Sequence, residues 1–192
     1  MTERDAGSVV IPFPDRKYNI IYADPPWSYQ DKANAGKRGA VYKYPTQSAA
    51  WLRALPVQNL AAEDCALFLW ATMPQLPLAI EVMTAWGFQY RTNAFTWVKR
   101  NRVSTSWFWG MGNWTRANAE LCLLGVKGRP KRVSAGVHSI LTNPIMRHSQ
   151  KPAEARERIV KLMGDLPRIE LFARDCDPGW DVWGLEAPIQ TP

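Results

Sequence analysis

Histidine and cysteine are scarce in this chain. Two histidines (His138, His148) and three cysteines (Cys65, Cys122, Cys176) are scattered over 192 residues, with no CxxC pair. That spacing assembles no zinc constellation, and an odd, dispersed set of thiols gives no disulfide framework. Cys65 and Cys122 sit in apolar, strand-like runs and are expected to be buried free thiols. No hydrophobic stretch reaches the length needed to cross a bilayer, and Met1-Thr2-Glu3-Arg4-Asp5 is no apolar signal region. A soluble, cytoplasmic protein with no membrane partner is therefore expected. Internal repeats and low-complexity segments are also missing.

What is present is apolar and basic. The 46% of apolar residues suffices for a real core, and one domain over residues 1–192 is expected. Lys and Arg total 24 against 17 Asp and Glu, a formal charge of +7, which favours an anionic partner, nucleic acid first. The charge is uneven. Between Trp97 and Arg147 lie Lys99, Arg100, Arg102, Arg116, Lys127, Arg129, Lys131 and Arg132, with Glu120 as the lone acid. Trp107, Phe108, Trp109 and Trp114 share that interval. Cations that track phosphates, interleaved with rings that stack on bases, suit a single strand or a flipped base. A solvated basic face beside a partly buried aromatic cluster is the plainer reading.

The chain order is that of an α/β domain. Residues 1–14 read as an irregular lead-in, and Tyr18–Ala23 as a short buried strand. Residues 28–44 form a polar, glycine-bearing loop, long enough to be functional and expected to be mobile. Helical spacing covers Thr46–Leu55 and Gln75–Trp86, with Gly87 as a stop. Cys65–Trp70, Phe88–Val98 and Ala119–Val126 read as strands, separated by a second long, mobile loop over 99–117. Pro152 suits the first turn of a helix running to Met163. Arg168–Phe172 is a last core strand, followed by Trp180–Gly184. Alternating strands and helices predict a mostly parallel central sheet with helices on both faces. In such sheets ligands bind beyond the carboxyl ends of the strands, where Ala23-Asp24 and Phe172-Ala173-Arg174 both fall.

The most informative stretch is Asp24-Pro25-Pro26-Trp27, directly after the first strand. The prolines fix φ and remove two N–H donors, so the turn offers carbonyls. Asp24 can accept from an amino group while Trp27 covers a ring. A flat, amine-bearing base is the ligand this chemistry suits.

This turn resembles that of the MT-A70 adenine-N6 methyltransferases. The resemblance continues through Leu67-Phe68-Leu69-Trp70, Trp97-Val98-Lys99, Leu123–Gly128, Ser149–Glu154 and Arg168–Arg174, and covers residues 18 to 186. It implies a Rossmann-like methyltransferase fold with permuted strand order, using S-adenosyl-L-methionine. It assigns catalysis to Asp24, Pro25, Pro26 and Trp27, with Trp27 stacked on an unpaired adenine. It assigns the cofactor to Ala23, Asp24, Lys151 (the donor's carboxylate), Phe172 and Arg174 (the ribose region). Cys176 and Asp177 replace a family histidine and asparagine near the ribose, and Leu185-Glu186 replace an amide pair; Glu186 could still accept ribose hydroxyls. Asp15 could approach the donor's adenine, although a solvated turn acid is the plainer reading.

The loops bear on the acceptor. Tyr29, Lys37, Arg38 and Tyr42 in the first, and Lys99, Arg100, Arg102, Trp107 and Trp109 in the second, are the expected nucleic-acid contacts. A partner subunit, as in a homodimer, is the alternative use of Trp107-Phe108-Trp109. DNA is the favoured acceptor because the chain shows no appended RNA-binding module; RNA is the alternative, and a non-catalytic nucleic-acid-binding subunit the third reading.

Overall fold

The computed structural model describes residues 11–28, 47–112, 114–146 and 150–187. Its centre is a seven-stranded sheet: β1 (Tyr18–Ala23), β2 (Ala61–Thr72), β3 (Gln89–Trp97), β4 (Glu120–Lys127), β5 (Ile140–Leu141), β6 (Arg168–Leu171) and β7 (Asp181–Trp183). The spatial order is β5-β3-β4-β2-β1-β6-β7. β1 pairs in parallel with β2 and β6, β6 with β7, and β3 with β5, while β4 is antiparallel to both neighbours. Six strands thus point one way, and the mostly parallel, Rossmann-like α/β sheet is as expected.

Three helices complete the layers: α1 (Ala49–Ala54), α2 (Leu76–Ala85) and α3 (Ala153–Met163). Ser48 caps α1 by accepting from the backbone N–H of Trp51, which fixes the start three residues later than the sequence pattern suggests. One core layer joins Tyr18, Ile21 and Leu67 of the sheet to Leu52 of α1 and Val82 and Met83 of α2. The other joins Ile20, Tyr22 and Phe68 to Ala155 and Ile159 of α3. Both faces are therefore covered, and the short apolar runs of β1 and β2 are buried on each side.

The carboxyl edge collects the functional segments. Asp24 follows β1, Phe172 follows β6 and Gly184 follows β7. Because β4 runs in reverse, its first residue, Glu120, reaches the same edge, opposite Thr72 at the end of β2. Residues 99–112 and 114–117, expected as part of a long mobile loop, carry several cross-ties. Asn118 exchanges hydrogen bonds with the backbone of Lys99 and also donates to the Phe108 carbonyl. Arg100 bridges to Trp107 and Pro144, and Gly110 to Ala117. These cross-ties hold these residues as a shaped platform beside the site.

Candidate active site

Asp24 stands where β1 delivers it, with Pro25 buried behind it. The turn is closed by Trp27 N–H donating to the Pro25 carbonyl (2.8 Å) and Gln47 N–H donating to the Pro26 carbonyl (3.0 Å). Each carbonyl keeps a second lone pair. Trp27 is not the open stacking platform expected. It is 4% exposed, and its indole N–H donates to the Trp70 carbonyl at 3.0 Å. A side chain pinned in the core braces the turn instead of covering a base.

Lys151, just before α3, donates to Asp24 Oδ2 at 2.7 Å. The same ammonium lies 3.3 Å from Glu120 Oε2 and 5.6 Å from the centre of the Trp70 ring. Glu120 in turn pairs with Lys99, whose ammonium covers the Trp97 ring. Asp24, Lys151, Glu120 and Lys99 thus form a line of alternating charges at the carboxyl edge. Burial pushes the Asp24 carboxyl above its usual range, with Lys151 opposing and Glu120 adding to the rise. Burial also acts to raise Glu120, but Lys151 and Lys99 outweigh it, and its carboxyl falls below the usual range. Burial would lower Lys151, yet its two carboxylates raise it, so it stays a cation. A buried charge network of this kind holds its members in register only while every partner is present.

Beside Asp24 opens a cavity of about 790 Å3. Its wall includes Phe13, Trp51, Phe172 and Trp183, with Asp24, Pro26, Arg174 and Glu186 toward the carboxyl edge and Asp15, Arg16 and Asn59 along the segment that precedes β1 and the turn before β2. Phe172 adopts a left-handed backbone (φ 61°) and packs its ring 5.6 Å from Trp183. A non-glycine residue in that region is held there by its surroundings, and such strain gathers at ligand sites. Arg174 Nε and Glu186 Oε2 meet at 2.9 Å, joining the segments after β6 and β7.

The expected site residues divide accordingly. Asp24, Pro26, Phe172, Arg174 and Glu186 share the cavity wall. Ala23 is buried, and Lys151, expected to hold the donor's carboxylate, does not line the cavity and is bonded to Asp24. Asp177 turns away to Arg156 Nη1 at 3.1 Å, beside the buried Arg156–Glu170 pair, and Cys176 is exposed and off the wall. Asp177, in the turn after β6, is thus directed toward α3, and neither residue lines this cavity. Lys99 is paired with Glu120, while the exposed Arg102 donates to the carbonyls of Ile145 and Met146 and keeps its positive charge. Arg100 is only partly exposed and shapes the loop. Trp107 and Trp109 are 45% and 60% exposed. Tyr29, Lys37, Arg38 and Tyr42 lie outside the described residues. Sequence reasoning missed Phe13 and Trp183 in the wall and Glu120 in the charge line; its isolation in a basic stretch was the one signal for Glu120.

Fold and site define an α/β domain with a ligand cavity crossing the carboxyl edge of its sheet, next to a buried, lysine-held aspartate. The MT-A70 family model matches residues 18–186, and the chain belongs to that family. It is 36% identical over 193 residues to the type II methyltransferase M.MunI of Mycoplasma sp, covering 91% of this chain and 80% of that protein. The N(6)-adenosine-methyltransferase MT-A70-like protein of Drosophila melanogaster and the human catalytic subunit METTL3 are each 30% identical over 172 residues, 88% of this chain. The chain spans only 26% and 28% of those two proteins.

Proposed function

We propose that this protein transfers a methyl group from S-adenosylmethionine to the exocyclic N6 amine of adenine in a nucleic acid. The observation that carries this reading is Asp24, fixed by Lys151 at the point where the cavity meets the two-proline turn. The cavity fits the donor: its volume is within the range of small-molecule sites, its aromatic wall suits a purine, and Arg174 and Glu186 suit ribose hydroxyls and polar ends. When bound, the donor would supply an electrophilic methyl group on a sulfonium. Phe13, Trp51, Phe172 and Trp183 would hold its ring system, and Asp15 stands near enough along the wall to meet it.

The chain's own residues align the acceptor. An exocyclic amine conjugated with its ring is a poor nucleophile. Asp24 accepts one of its N–H bonds, and the free lone pair of the Pro26 carbonyl accepts the other, drawing the nitrogen toward tetrahedral geometry. Lys151 keeps Asp24 from rotating away. Displacement at the methyl carbon is then chiefly a matter of alignment and preorganised charge. The proton lost afterwards needs no dedicated base, and Asp24 is the nearest acceptor. The exposed Trp107 and Trp109 can stack on an unpaired strand, at about 1–3 kcal/mol per base.

DNA is the acceptor we favour, since likeness over most of both lengths is to a type II methyltransferase. RNA is the second reading, supported by the N(6)-adenosine enzymes that match over 88% of this chain. Among the described residues no helix is long and apolar enough to span a membrane, and a cytoplasmic setting belongs to the same proposal. Labelled S-adenosylmethionine offered with single- and double-stranded DNA and RNA, followed by nucleoside mass spectrometry, tests it. N6-methyladenine in DNA is expected; label on another atom, or on no polymer, would refute it.

A further inference from the structure

The basic stretch of the sequence is not one surface in the fold. Glu120 opens β4 at the carboxyl edge and Lys127 closes it at the opposite edge. Seven steps of about 3.3 Å separate them by roughly 23 Å. Beyond Lys127 come Arg129, Lys131 and Arg132, and Arg91 lies near the start of the adjoining β3. Arg91, Arg129, Lys131 and Arg132 are all exposed, and among the described residues no ion pair involves any of them. Cations near the active site, by contrast, are largely committed, as Lys99, Lys151 and Arg174 show.

The turn that carries them is pinned. Gly128 has φ 66°, and a Cβ there would meet the Glu63 carbonyl oxygen at 2.3 Å, so only glycine fits. Arg129 N–H donates to Asp64 Oδ1 at 2.6 Å, which occupies one nearby carboxylate and leaves Glu63 as the other. Val133 N–H donates to the Leu162 carbonyl of α3 at 2.8 Å. Arg129, Lys131 and Arg132 are thus gathered on a pinned turn, with Arg91 on the adjoining strand, and their positive charges outnumber the nearby carboxylates of Glu63 and Asp64. Such an excess of exposed positive charge attracts a polyanion.

We propose that Arg91, Arg129, Lys131 and Arg132 form a distal anchor for the phosphate backbone of the same nucleic acid whose adenine lies at Asp24. The anchor rests on the nucleic-acid reading above. It reads charge and no sequence, and it engages only strands long enough to reach it. At about 3.4 Å per nucleotide in a duplex, at least about seven must lie between the target base and the anchor.

The test compares wild type with the Arg129→Ala/Lys131→Ala/Arg132→Ala variant on a six-nucleotide and a thirty-nucleotide substrate, with binding followed by fluorescence anisotropy. Surface truncations of this kind leave folding intact, and an unchanged Tm confirms it. On the long substrate the variant should show KM raised about tenfold or more with kcat unchanged, and kinetics on the short one should not move. Losing three phosphate contacts should lower the slope of log K against log salt by about two to three. Wild type should accordingly lose about 20- to 40-fold more affinity than the variant between 50 and 200 mM salt. An unchanged KM and salt slope would overturn the anchor, as would equal impairment on the short substrate. Loss of binding to phosphatidylserine vesicles but not to the oligonucleotide would assign the patch to a lipid surface and also overturn it. Should wild type methylate no polymer, the proposed function fails, while the anisotropy comparison still decides the anchor.

Discussion

The Asp24 carboxylate has to be ionised to accept an amine N–H, and its burial makes that harder. Its pKa lies above the ordinary aspartate range, with Glu120 contributing to the rise through its negative charge. Activity should therefore fall on the acid side at a higher pH than an ordinary aspartate would give. Replacing Glu120 by Gln removes that negative charge and leaves Lys151 to Asp24 alone. Both changes stabilise the ionised carboxylate, so the acid limb of kcat/KM should move to lower pH in Glu120→Gln, whatever happens to its height. A limb that stays put or moves up would show that Glu120 does not act on Asp24. Asp24 was legible in the sequence because it sits in a compact motif at a strand end. Glu120 was not, because nothing local shows that it will face Lys151, which lies on a different segment. Trp27 was misjudged for the same reason: an indole after a proline turn can cover a ligand or plug a core, and only packing against Trp70 decides.

Strands and helices were readable where hydrophobic period and punctuation agree. β1, α2, α3 and β6 fall close to their expected bounds for that reason. The reversal of β4 was hidden, since an apolar run of Leu and Val suits either direction. β5, two residues long, carries no periodicity at all. Just beyond the paired residues of β6 and β7 the two backbones approach closely. Gly184 has φ 154°, and a Cβ there would lie 2.9 Å from the Phe172 Cα. Gly184→Ala should push the segment after β7 away from Phe172 and widen the cavity at its strained residue. A loss of about 1–3 kcal/mol is expected, read as a Tm lower by roughly 3–10 °C. Affinity for S-adenosylhomocysteine should weaken in parallel. A variant with native Tm and native affinity would mean that this contact does not shape the wall.

For the molecule as a whole, the sheet brings two chain-distant segments to one cavity: residues 24–27 and 172–186. A ligand seated there ties the β1 turn to the β6 and β7 ends, so it should stabilise the entire domain. S-adenosylhomocysteine at a hundredfold excess over its Kd should add about 2.7 kcal/mol, raising Tm by about 5–10 °C. No shift at saturating ligand would remove the donor from this cavity. The sequence showed both segments as strand ends, but the shape of the wall between them, with Phe13 and Trp183 packed ring to ring at 4.6 Å, is a property of the fold.

The claim that Asp24 grips the acceptor while the cavity holds the donor is tested most directly by Asp24→Asn in a single-turnover assay. The enzyme is loaded with labelled S-adenosylmethionine and then mixed with an adenine-containing oligonucleotide. The variant should bind the donor with near-native affinity, shift in Tm as wild type does, and transfer at least about a hundredfold more slowly. Transfer at the wild-type rate would contradict the account.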